Sequence, residues 1–252
     1  MATSLSGSVA KVPAATLGFW IIKILATTLG ETGGDAVSMS MNLGYLAGTA
    51  IFMVVFVAAV LAQVRASRFR PFLYWGTIVA STTVGTTMAD FATRSLGIGY
   101  TGGSALLLVL LAACIVAWYA SLGTVAISSV DSPRAELFYW LTIMFSQTLG
   151  TALGDWTADT AGLGYLGAAM IFGGLLLVLL GSFLLTRVSR VALFWMAFVL
   201  TRPLGAVVGD FLDKPVASGG LALSRYVATA MLLAAILVLI VVLPQTAAKK
   251  PH

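Results

Sequence analysis

Eight apolar stretches run along the chain, near 14–40, 44–64, 71–96, 100–120, 136–161, 165–186, 191–214 and 222–243. Each is long enough for the roughly 20 residues that a helix needs to cross a bilayer. They alternate in character. The even-numbered stretches are almost uniformly apolar, as in IFMVVFVAAVLA and MLLAAILVLIVV, whereas the odd-numbered ones hold nearly all the polar residues found within spans. This pattern predicts an all-α, polytopic membrane protein of eight transmembrane helices. Four polar helices inside a ring of four apolar ones would hide the polar groups from lipid. A transmembrane β-barrel would show short alternating segments instead.

The odd-numbered stretches are copies of one another. Trp20, Trp75, Trp140 and Trp195 are each followed by a glycine ten residues on (Gly30, Gly85, Gly150, Gly205) and an aspartate fifteen residues on (Asp35, Asp90, Asp155, Asp210). The tryptophans are spaced 55, 65 and 55 residues apart, so a second period of 120 residues relates two halves, 1–125 and 126–252, of a single membrane domain. A fixed period of this kind is the signature of a repeat architecture. The ten extra residues of the middle spacing fall in AISSVDSPRAE (126–136), the longest polar connection. Each repeat holds two spans, an even number, so successive repeats enter the membrane in the same direction. The four two-helix repeats are therefore expected to be parallel, related by an axis along the membrane normal.

Steps of four from each tryptophan follow one helical face with a slow drift. At +3, +7, +11, +15 and +19 the first copy reads Lys23, Thr27, Glu31, Asp35, Met39, and the second Ile78, Thr82, Thr86, Asp90, Arg94. The third reads Ile143, Gln147, Thr151, Asp155, Asp159, and the fourth Phe198, Arg202, Ala206, Asp210, Lys214. At 1.5 Å per residue the +15 aspartate lies roughly 22 Å beyond its tryptophan, in the outer third of the bilayer if the tryptophan marks the cytoplasmic interface. A charge there costs about 2.5–3.5 kcal/mol on insertion scales. Asp90 with Arg94 and Asp210 with Lys214 read as intrahelical ion pairs. The other two copies carry an extra acid instead, Glu31 with Asp35 and Asp155 with Asp159. Asp213 is a further acid off the stripe. The 120-residue symmetry places the two acid-rich helices opposite each other across a central axis.

Carboxylates grouped in this way suit hard cations, which take oxygen ligands, and proton relays, which use crowded acids. Glu31, Asp35, Asp155 and Asp159 are the candidate metal ligands. Asp90 and Asp210 would complete an ion- or proton-binding ring, tuned in charge by Lys23, Arg94, Arg202 and Lys214, with Lys23 or Arg202 as an internal counter-ion to Glu31. The alternative is a static network of ion pairs that fixes the packing of the bundle.

Composition agrees with the pattern. The chain has 252 residues, 60% hydrophobic and 9% charged, with mean hydropathy +1.02, against roughly 25% charged residues in soluble domains. The single cysteine, Cys114, excludes an intrachain disulfide and reads as a small core hydrophobe. The only histidine is His252, which leaves haem and histidine-based zinc sites without ligands. No cofactor is implied, and the absence of a nucleophile–base pair argues against an enzyme. The net charge of +5 reflects topology, not nucleic-acid binding. Lys11, Arg65, Arg68, Arg70, Arg134, Arg187, Arg190, Lys249 and Lys250 all fall on one side of the membrane. Only Arg94, Lys214 and Arg225 fall towards the other. The positive-inside rule then places both termini in the cytoplasm. Residues 1–13 lack the features of a cleaved signal peptide, so the first helix is expected to stay.

The pairs Gly30-Gly34, Gly150-Gly154 and Gly205-Gly209, with Gly85-Ala89 as a variant, read as close helix-packing motifs; local helix breaking is the alternative, and Pro203 marks the seventh helix as the one to kink. The aromatic pairs at 19–20, 74–75, 139–140 and 194–195 read as an interfacial belt, with Tyr45, Tyr100 and Tyr165 anchoring the opposite face. Asp210 and Lys214 also have the spacing of a retinal site, which Pro215 and the helix end make unsuitable. The repeat centres LGETGGD, VGTTMAD, LGTALGD and LGAVVGD, with their tryptophans, resemble a bacterial family of membrane-anchored proteins built from four tandem two-helix repeats of unknown function. That resemblance covers roughly residues 15–243 and implies eight spans in a bacterial inner membrane, but no activity. Glu31, Gly34 and Asp35 bear a looser likeness to the Glu-x-Gly-Asp motif of cation/proton exchangers, with the spacing changed and Ala36 where that motif has a base.

The expected function is a secondary transporter of a small cation, a divalent metal or a proton-coupled ion, with lipid as its surroundings and no nucleic-acid partner. No ATP-binding motif is present. A cation channel and a non-transporting scaffold are the alternatives, and a monomer and a homo-oligomer both remain open.

Overall fold

The computed structural model describes residues 10–249. Within them the chain forms eight long helices: α1 (Leu17–Asp35), α2 (Gly44–Arg65), α3 (Pro71–Asp90), α4 (Gly99–Leu122), α5 (Pro133–Asp155), α6 (Gly164–Leu185), α7 (Arg190–Asp213) and α8 (Arg225–Val242). The described residues contain no β-strand, only an isolated bridge between Pro13 and Ala247. Five helices, α2, α4, α6, α7 and α8, are long and apolar enough to cross a membrane. Of the four helices that bear the polar stripe, α7 alone is among the five. His252, Lys250 and residues 1–9 lie outside the described residues, as does the part of the topology expectation that rests on them.

The helices form two concentric rings. Helix α1 packs on α3, α3 on α5, α5 on α7, and α7 back on α1, while α1 and α5 stand opposite each other. Each remaining helix packs on the inner helix of the following repeat: α2 on α3, α4 on α5, α6 on α7, and α8 on α1. Every repeat thus completes its neighbour, and the last closes on the first. The inner helices are buried along most of their length, including almost every polar position, whereas α2, α4, α6 and α8 expose long apolar faces.

The glycine positions set the register. Gly30 lies against Thr82, Gly85 against Gln147, Gly150 against Arg202, and Gly205 against Thr27. The +10 glycine of every repeat meets the +7 residue of the next, all the way round. The glycines therefore serve close packing, and α7 runs unbroken through Pro203. A Cβ on Gly85 would lie 2.9 Å from the backbone carbonyl carbon of Gln147, whereas one on Gly76 would meet nothing within 4 Å. Gly85→Ala is expected to destabilise by about 1–3 kcal/mol through overpacking. Gly76→Ala is expected to be neutral or to stabilise by up to about 1 kcal/mol. Unfolding of the two variants in detergent checks the contrast.

Pro71 and Pro133 open α3 and α5, and Thr16, Ser132 and Ser189 cap α1, α5 and α7 with their hydroxyls. Three inner helices end in a single π-helical turn: Ala36–Ser40, Phe91–Ser95 and Trp156–Thr160. In the fourth copy Pro215 falls where that turn would finish. It has no N–H to donate and holds Lys214 extended, so α7 stops at Asp213 and a longer connection follows. Glycines with φ between 65° and 84° (Gly44, Gly99, Gly164, Gly219) make the corresponding reversal in all four repeats, a backbone that glycine adopts without strain.

The aromatic pairs correct one expectation. They do not form an interfacial belt; they plug the ring at the end where the inner helices begin. Phe19 packs on Trp75, Tyr74 on Trp140, Tyr139 on Trp195, and Phe194 on Trp20, with centroids 5.4 to 6.1 Å apart. Tyr74 and Tyr139 share a hydrogen bond at its centre. The reason is that the first aromatic of each pair points into the ring, where neighbouring repeats supply ring faces. Residues 10–14 and 246–248 cross this end, joined by Ala14 N to Thr246 O (2.8 Å) and Ala248 N to Val12 O (2.8 Å). Lys11 is anchored there by Glu136 at 2.7 Å. Because both ends of the inner helices meet their equivalents, the four run parallel.

Candidate functional site

At the far end the +15 aspartates converge, all four at least 97% buried. Each even-numbered repeat supplies one base that bridges two of them. Arg94 Nε reaches Asp90 at 3.0 Å in its own helix, and its Nη2 reaches Asp155 on the next inner helix at 3.2 Å. Lys214 Nζ reaches Asp210 at 3.1 Å and also bonds Asp35 across the seam between the last repeat and the first. The two clamps are related by the 120-residue symmetry. The intrahelical pairs expected from sequence are present, and each turns out to be half of an interhelical one. Asp35 and Asp155 pair with no base of their own helix among the described residues; the neighbouring repeat provides it.

Lys214 gathers further acids. Asp213 Oδ1 lies 3.9 Å from its amine, and Asp213 Oδ2 takes Arg225 Nε at 3.1 Å. Arg225 Nε is also 3.8 Å from Asp35 Oδ2. Tyr45 and Tyr100 hold Arg94 from outside, at 3.3 and 3.0 Å, so these tyrosines act on the clamp. Arg94 is a third exposed, and Lys214 and Arg225 are partly so. This end of the ring therefore opens to the protein surface, unlike the aromatic plug.

One turn deeper, Arg202 joins all four inner helices. From α7 its guanidinium donates to Glu31 Oε2 at 2.9 Å and Thr27 O at 3.4 Å on α1, to Thr86 Oγ1 at 2.6 Å on α3, and to Thr151 Oγ1 on α5. It is fully buried and is the counter-ion of Glu31. Lys23 is not. Its amine is buried with no hydrogen-bond partner among the described residues, 4.1 Å from the centre of the Phe198 ring.

Of the four candidate metal ligands, Glu31 and Asp35 come together with Asp210, and one ligand oxygen from each lies within 4.8 Å of the others. An ion with oxygen ligands at roughly 2.3–2.6 Å could reach all three. Asp35 Oδ1 is buried there without a hydrogen-bond partner. Asp155 is held by Arg94 instead, and Asp159 is exposed in the π-turn, outside the cluster. Asp159 holds the +19 place of its π-turn as Arg94 does in the second copy, but its shorter side chain ends exposed, where Arg94 reaches back to the aspartates. Sequence reasoning did not bring Asp210 into this triad, nor did it find the Lys11–Glu136 pair; both connect residues more than 120 positions apart.

The family model described as Repeat of Unknown Function (DUF347) matches the chain at residues 18–69, 73–124, 138–189 and 193–247, and the chain belongs to that family. Each matched unit contains one inner helix and the outer helix that follows it. No curated protein and no solved structure matches the chain.

Proposed function

We propose that this four-repeat chain is an eight-span carrier of a small cation, driven by an ion gradient or the membrane potential. The observation that carries the proposal is the triad Glu31–Asp35–Asp210, three buried carboxylates spaced to share one ion, with the Lys214 ammonium now lodged against two of them. Charged groups at such depth are costly, and they mark ion pathways in membrane proteins more often than packing. Lys214 acts as a tethered surrogate for the cation: an arriving divalent ion, or protons on the acids, displaces it. Its release then separates α7 from α1 at the seam where the ring closes. The exposed bases make the triad accessible from the aspartate end in this state, with the aromatic plug closed behind it. Both termini lie in the cytoplasm of a bacterial inner membrane, as the distribution of basic residues argues, and the triad faces the outside.

Arg202, bonded to three other helices across the axis, closes the ring and disfavours a passive pore. A static scaffold is the second reading, favoured by the two clamps that match each aspartate with a base. Thermal unfolding across divalent metals separates the two. A carrier gains stability by mass action, about 2.7 kcal/mol at one hundred times Kd. Asp35→Asn is expected to abolish that gain. A scaffold shows no metal-dependent gain in either protein.

A further inference from the structure

We propose that the ring binds a small monovalent anion, a halide, on its axis between the Arg202 network and the aromatic plug, with Lys23 as the counter-charge. This inference does not depend on the carboxylate triad. Four polar side chains at this level are fully buried and keep donors without partners among the described residues: Lys23 Nζ, Gln147 Nε2, Thr82 Oγ1 and Arg202 Nε. Thr82, Gln147 and Arg202 all occupy the +7 position, which the glycine interlock holds at one height on α3, α5 and α7. Lys23 starts one turn nearer the plug. Its amine lies over Phe198, the residue one turn before Arg202.

The charges at this level do not balance. Glu31 is taken by Arg202, and it is eight residues, about 12 Å, from Lys23 along α1. Lys23 and Arg202 are both basic and sit on adjoining helices, α1 and α7. Ile78, Ile143 and Phe198, all fully buried, close the plug side. An ammonium taken out of water without a counter-ion is strongly unfavourable. N–H and O–H donors around a surplus positive charge suit a compact anion. A cation would be repelled, and water would leave the charge uncompensated.

The test uses the full chain in detergent at constant ionic strength, with potassium gluconate replaced stepwise by potassium chloride or bromide. The unfolding temperature is expected to rise by several degrees and to saturate. Lys23→Met is expected to lose the halide dependence, and Asp35→Asn to keep it. Gln147→Leu, which leaves the charges intact, is expected to weaken the halide at least tenfold and serves if Lys23→Met does not fold. Equal unfolding temperatures in gluconate and chloride for the natural sequence would overturn the site. So would an undiminished chloride effect in Lys23→Met or Gln147→Leu.

Discussion

Arg202→Met is expected to be the most destabilising single substitution in the chain, at about 3–5 kcal/mol, because it leaves the buried Glu31 carboxylate without its counter-ion. The same change removes the bonds that tie α7 to Thr86 on α3 and Thr151 on α5. Burial makes the loss severe, since water cannot replace a fully enclosed guanidinium. Glu31→Gln in the same chain removes the stranded charge and is expected to restore a large part of the loss. The coupling energy from the double-mutant cycle should exceed 1 kcal/mol. Additive effects of the two substitutions would show that Arg202 and Glu31 do not act as a pair.

Lys214→Met is expected to have the largest effect on ion binding. The amine lies against Asp35 and Asp210, two members of the triad. Opposite charges about 4 Å apart interact with roughly 4 kcal/mol at an effective dielectric constant of 20. An entering cation must give up part of that against the ammonium. Removing the ammonium is therefore expected to tighten divalent-metal binding by at least about tenfold, equivalent to about 1.4 kcal/mol. Turnover should fall, because nothing then displaces the ion. Calorimetric titration of the purified variant reads the affinity. Weaker binding in Lys214→Met would mean that the lysine supports the triad and does not compete with its ligand.

The repeat, the helices and the separation of polar from apolar ones were legible in the sequence because each is a local or periodic property. Every residue of the stripe at +7, +11 and +15 is buried in the ring, and the 120-residue period put α1 opposite α5. What could not be read was the partner of each charge. Lys214 meets Asp35 only because the last repeat closes on the first, and no local pattern encodes that closure. Asp159 was misplaced because spacing alone does not say whether a +19 side chain reaches back to the aspartates, as the long Arg94 does, or ends exposed, as the short Asp159 does. The aromatic pairs show a third limit: tryptophan at the end of an apolar stretch is equally consistent with a lipid interface and with a packed plug. The structure resolves it by giving each aromatic a neighbour from the next repeat.

Ion flux in proteoliposomes, with the natural chain beside Asp35→Asn and Asp210→Asn, tests the central claim most directly. The account predicts cation uptake or efflux that depends on the imposed gradient or potential and is lost in both variants, while their folded yields stay comparable. Flux that continues unchanged through both neutralised aspartates would contradict it.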